Sequence, residues 1–311
     1  MPANDGLVTL VHEGVALAPH DVWGAWSWEP GVLLGLAVTA GLYARGWLGL
    51  RRRSVRRRGA RRREAAAFWA GWFALVGALV SPLHRMGGAL LWAHMAQHEL
   101  LMVVAAPLLV LGRPFVVSLW ALGPVLRRRV GSRLARLRPL VRGLARLEVA
   151  WVLHALAIIV WHAPALYGLT VTSELVHSLQ HASFLGTALL YWWSVLTEAR
   201  LRARQGGAIL SLFTTMIYTG GLGALLTVAA RPWYPAYGAA APLWGLMPLE
   251  DQQLAGLIMW VPAGLSYLFA TIWLVAEWLR EPERRTVAVP LGNSPVRTVI
   301  DGAREPTHYR S

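Results

Sequence analysis

Seven apolar blocks, separated by short polar clusters, set the reading of this chain. They fall near 30–50, 65–83, 89–112, 148–167, 174–196, 207–230 and 252–279. At about 1.5 Å per residue each is long enough to cross a hydrocarbon layer about 30 Å thick. The pattern predicts an all-α integral membrane protein, a bundle of seven transmembrane helices. Between the third and fourth blocks lies a segment with Arg at 127, 128, 129, 133, 136, 138, 142 and 146. Such a segment is expected to form short helices lying in the membrane interface. On this division residues 1–29 are an N-terminal extension and 30–280 the seven-span domain, with its Arg-rich linker at 113–147. Residues 281–311 are then a polar, Pro-containing tail, expected to be loosely ordered.

Charge orients the bundle. The 311 residues are 56% hydrophobic yet carry a net charge of +14, and all 30 basic residues are Arg. With the N-terminus outside, 28 of the 30 Arg fall in cytoplasmic loops or the tail, leaving only Arg85 and Arg231 on the other side. The positive-inside tendency therefore places the N-terminus outside and the C-terminus in the cytoplasm, in a bacterial inner (plasma) membrane. The Arg-rich loops would meet anionic lipid. A soluble nucleic-acid binder would also be basic but has no use for seven such blocks, so no nucleic acid is expected. Met1 to Trp28 lacks the basic region and apolar core of a cleaved signal peptide, and the start is expected to be retained. The chain has no Cys, so disulfides and thiolate ligands are excluded, and any metal must use His, Met, carboxylate or backbone.

Six histidines, His94, His98, His154, His162, His177 and His181, fall inside or at the ends of the predicted spans. An imidazole there is costly unless it faces the bundle interior and finds a partner. His94/His98 and His177/His181 are each spaced i, i+4, which puts both rings of a pair on one helical face. The third and fifth spans enter from the outer side and the fourth ends there. His94, His98, His162, His177 and His181 therefore gather in one layer and are the candidate metal ligands. His84, Glu99, Glu174, Asp251 and Gln252 border that layer, and carboxylates there can orient ligating rings through their second nitrogen. Asp251 equally suits a cap on the seventh helix. His154 sits about 12 Å deeper than His162, where a plain hydrogen bond or a second site are both open. Met102 continues the His94/His98 stripe, and Met95, Met216 and Met259 offer further thioethers, although each is an ordinary packing residue taken singly. Imidazole with optional thioether suits copper, the cuprous ion above all, better than magnesium or calcium. Trp23, Trp26, Trp28, Trp233, Tyr234, Tyr237 and Trp244 read as an interfacial belt, while Trp161 and Trp260 could wall the site.

Three functions are compatible with this constellation. A binding protein would hold copper and pass it to a client. A membrane redox enzyme would use a His-ligated copper, iron or haem centre, a haem being held between opposed histidines of the third and fifth helices. A metal transporter would need a polar path through the inner half, where only His154 and Glu148 stand out.

The stretches SPLHRMG (81–87), HMAQHELLMVVAAPLLVLGRP (94–114), WHAPALY (161–167), VHSLQHASFLGTALLYWW (176–193) and WGLMPLEDQQLAGLIMWVP (244–262) resemble the multi-span CtaG family, the cytochrome c oxidase assembly factors. The resemblance covers roughly residues 30–280. It implies a seven-span protein that is an assembly factor, not an enzyme, and that supplies copper to a haem–copper oxidase. Its partner would be a cytochrome c oxidase subunit. The family's histidine positions map onto His94, His98, His162, His177 and His181, and its acidic motif onto Asp251 followed by Gln252 and Gln253. The Arg-rich inner loops and the extension with His12 and His20 depart from the pattern. A homo-oligomer is left open.

Overall fold

The computed structural model describes residues 17–53, 61–237 and 239–287, and all regular structure among them is helical. α1 (Pro30–Arg53) and α2 (Arg62–Leu79) are followed by the short α3 (Pro82–Ala89) and by α4 (Leu91–Glu99). A π turn (Leu100–Ala105) joins α4 to α5 (Ala106–Gly112), and α6 (Pro114–Leu119) and α7 (Pro124–Leu144) form the Arg-rich linker. Then come α8 (Leu147–Trp161), α9 (Pro164–Thr172), α10 (Glu174–Glu198), α11 (Arg202–Thr227) and α12 (Pro248–Val287). Proline marks the breaks: α3, α6, α7 and α9 each begin with one, where its fixed φ suits a first turn and its missing N–H is not needed.

Among the described residues, four helices are long and apolar enough to cross a membrane: Pro30–Arg52, Leu91–Gly112, Arg202–Thr227 and Pro248–Arg280. Counting each of two bent pairs, α2 with α3 at 42° and α7 with α8 at 75°, as one span gives an upper bound of six. Large apolar side chains such as Leu34, Phe73, Leu210, Ile217, Phe269 and Trp273 are exposed on these helices, a surface suited to lipid and not to water. The protein is a multi-pass membrane protein.

Several predicted boundaries shift. The block near 65–83 ends at Leu79, and α3, carrying His84, intervenes before α4. The block near 148–167 stops at Trp161, so α8 has 15 residues and reaches about 22 Å. α10 has 25 residues, but the His, Gln and Ser of its first half keep it short of the apolarity of a simple span. The tail expected from 281 begins as helix, since α12 runs to Val287; residues 288–311 lie outside the described residues. In the linker, α7 has no buried residue and exposes Leu126, Leu134, Leu137 and Leu140 beside its Arg residues.

Packing sets where the histidines meet. The main apolar cluster joins Met102, Phe184, Tyr191, Trp192, Leu212, Met259 and Tyr267 from the π turn, α10, α11 and α12. α11 and α12 touch through glycine: a Cβ on Gly256 would lie 2.5 Å from the Gly223 carbonyl oxygen, and one on Gly223 2.8 Å from that of Gly256. Small residues here let two backbones come into contact. Gly220 faces Trp260, whereas Gly221 has open space around it.

Candidate metal centre

α4 and α10 present the same five-residue pattern to each other, His94-Met-Ala-Gln97-His98 and His177-Ser-Leu-Gln180-His181. The ring centroids of His94 and His98 are 4.3 Å apart, those of His177 and His181 4.2 Å. Across the helix pair, His98 and His181 are separated by 5.2 Å, His94 and His177 by 5.4 Å, and His94 and His181 by 5.8 Å. One nitrogen from each of His94, His98 and His181 lies within 4.8 Å of the others, and all three residues are buried. Ligands of one ion held at about 2 Å sit about 3–4 Å apart, so small ring movements would close this triad on a cation.

Hydrogen bonds define which nitrogens are available. His98 is 1% exposed, and neither of its ring nitrogens has a hydrogen-bond partner among the described residues. A buried imidazole left this way is unfavourable by about 1–3 kcal/mol for each missing bond. His94 Nδ1 lies 3.2 Å from the Gly87 carbonyl and 3.1 Å from the Tyr237 hydroxyl. Its proton therefore sits on Nδ1, and Nε2 keeps a lone pair. That lone pair faces Gln180 Oε1 at 3.3 Å. Half a turn of the Gln180 amide would present its unpartnered NH2 instead. His162 Nδ1 donates to the Ile158 carbonyl at 2.7 Å, and its Nε2 has no partner. The His162 ring stands 6.2 Å from Phe184, which packs edge-on against His98 at 4.6 Å. His162 thus borders the triad across an aromatic wall. His177 flanks it on α10.

The rest of the fold holds these rings in place. Asp251, fully buried, accepts the backbone N–H groups of Leu91 and Trp92 at 2.8 and 3.0 Å. It caps α4, the helix that carries two of the rings, and not the start of its own helix. The bare amides at a helix start satisfy a carboxylate and meet it with the positive end of the helix dipole. Gln252 takes the Trp233 N–H and reaches the Arg231 carbonyl, fixing the 228–247 connection. From that connection Tyr237 donates to the Gly87 carbonyl at 3.2 Å and Tyr234 to the His162 carbonyl at 2.7 Å. Burial pushes both phenols well above their ordinary range, so both remain donors.

Other residues singled out in the sequence lie elsewhere. Met95 packs with Leu91, Tyr167 and Tyr237, and Met102 in the main apolar cluster. The π turn explains Met102: i, i+4 residues share a face only in an α-helix, and the wider turn after Glu99 rotates the stripe away. The Ala106 N–H reaches back to the Leu101 carbonyl, while Pro107 removes the next donor. Glu99 Oε2 is buried without a hydrogen bond. Glu174 is exposed in the first turn of α10. Trp161 donates to Ser183, and Trp260 packs on the Gly220/Gly223 face of α11, away from the rings. His154 bonds Thr187 at 3.1 Å and stacks on Tyr191. His20 is exposed beside Asp21, and His12 lies outside the described residues. Gln97, Gln180 and Glu29 were not anticipated, although the repeated His-x-x-Gln-His pattern was there to find the first two.

A family model for cytochrome c oxidase caa3 assembly factors matches residues 41–281. The chain belongs to this family. Curated relatives include an uncharacterised protein of Mycobacterium bovis and one of Mycobacterium tuberculosis, each 29% identical over 273 residues. The match covers 83% of this chain but 40% of each relative, so the chain spans less than half the length of these proteins. No solved structure matches.

Proposed function

We propose that this protein binds copper at the His94/His98/His181 triad, with His177 and His162 as alternate ligands, and hands it to a subunit of the cytochrome c oxidase that its family assembles. His98 carries the reading: a fully buried imidazole with both nitrogens unpartnered, inside a ring of further imidazoles, suits a soft cation. The extra rings supply substitute ligands for stepwise exchange, which a transfer site needs and a permanently filled one does not. The Arg distribution supports the orientation that accompanies this reading. α10 and α8 complete seven spans in a bacterial inner membrane, the triad faces outward, and α7 lies along the cytoplasmic leaflet against anionic lipid.

A haem-based redox enzyme fits less well. The cavity beside His94 and His177 has a volume of about 10 Å³, room for a water-sized ion and not for a porphyrin. Full-length protein purified without added metal is expected to carry up to one copper and no Soret band. The His98→Asn/His181→Asn double variant should carry none while remaining folded in the membrane. Full copper content in that variant removes the triad assignment.

A further inference from the structure

We infer, resting on the copper reading above, that Gln180 competes with the cation for His94 and so keeps the hold of the triad weak enough for exchange.

α4 and α10 each carry one glutamine inside their histidine pair, and the fold treats the two differently. Both are fully buried, at 0% exposure. Gln97 is fixed. Its NH2 donates to the Ala78 carbonyl at 2.7 Å, which prevents an amide flip, and also to His84 Nδ1 at 2.9 Å. His84 accordingly carries its proton on Nε2, which lies 3.1 Å from Glu29 Oε1. The Gln180 amide instead has one contact, Oε1 at 3.3 Å from His94 Nε2, and its NH2 has no partner among the described residues. No second hydrogen bond locks this amide as Ala78 locks that of Gln97.

The proton on His94 decides what Gln180 does. His94 Nδ1 donates to the Gly87 carbonyl at 3.2 Å, so Nε2 bears one lone pair and no proton. An amide oxygen facing that lone pair sets two acceptors against each other while a buried NH2 goes unused. Half a turn of the amide gives the lone pair a donor and the NH2 an acceptor, and this is the arrangement of the empty site. The same lone pair is the one that His94 offers to a metal, and it holds either an amide hydrogen or an ion. A cation therefore gains the third ring only by displacing the Gln180 NH2, and the returning amide helps to release it. A soft cuprous ion gains little from an amide oxygen in exchange. A buried hydrogen bond between neutral groups shifts such an equilibrium by about tenfold.

The test is a titration of copper(I) into full-length protein in detergent against a chromogenic chelator, with the release of copper(I) timed afterwards. Gln180→Leu, similar in size but without the amide, should bind copper(I) about tenfold more tightly and release it more slowly by a similar factor. In a His94→Leu background, where the contested lone pair is gone, the same substitution should change neither. A purely structural glutamine predicts no tightening and no dependence on His94. Native affinity in Gln180→Leu overturns the inference. Weaker binding also overturns it, because the amide would then be a ligand, and so does tightening that persists without His94. Should Gln180→Leu fail to fold, Gln180→Asn decides: it draws the amide back by one methylene and should tighten binding in the same way, and native or weaker binding overturns the inference. Native protein that binds no copper(I) fails the copper reading and this inference with it, whereas native protein that binds copper(I) as its Gln180 variants do fails the inference alone.

Discussion

His98 and His154 are equally buried, at 1% and 0% exposure, yet their surroundings differ in kind. His154 has a threonine hydroxyl on one nitrogen and a tyrosine face against its ring, and only its Nε2 is without a partner among the described residues. His98 has two other imidazoles and Phe184 against its ring, with both nitrogens left over. Burial of a histidine in a membrane bundle therefore does not mark a ligand. What marks it is a polar atom that the fold leaves unsatisfied among others able to share one ion.

The largest expected effect tests that contrast directly. His98→Gln should weaken copper(I) binding at least a hundredfold in a chelator competition, while His154→Gln should leave one copper bound. Equal losses from both would erase the distinction. Next is the clamp on α4. Asp251→Ala leaves the Leu91 and Trp92 amides without their acceptor, and should lower stability by about 2–4 kcal/mol and loosen copper binding as well. Thermal unfolding in detergent and the same competition would measure both, and unchanged affinity would show that the cap does not position the rings. Thr187→Ala, which removes the partner of His154, should lower stability by only about 1 kcal/mol with copper affinity intact; a loss of copper here would tie His154 to the site. The smallest effect belongs to the Arg-rich end. Replacing Arg128, Arg129, Arg133 and Arg136 of α7 by Gln in the full chain should reduce co-purified anionic lipid, each Arg contributing up to about 1 kcal/mol near such a surface. Equal lipid in both proteins would place α7 off the membrane surface.

Much of the site was legible along the chain. Intramembrane histidines are rare enough to stand out, and i, i+4 spacing within one helix is local geometry, so His94 with His98 and His177 with His181 could be paired on sight. The division into apolar blocks and Arg clusters was equally local, because lipid solvation acts on each segment by itself. The amide caps were not visible, since Asp251 meets Leu91 and Trp92 across 160 residues of sequence. Nor was the loss of Met102 from the histidine stripe, which follows from a π turn beside Pro107.

Composition and pattern by themselves determined a membrane-embedded helical chain with its Arg residues in clusters between apolar blocks and its histidines paired within them. Only the tertiary structure decided that His94, His98 and His181 close on one point while His162 stands behind Phe184. It also decided that Gln97 sets the proton of His84, and that Glu29, from the segment before α1, reaches His84. The reason is that a helix fixes the face a residue occupies, but which faces meet, and at what rotation, depends on packing between helices distant in sequence.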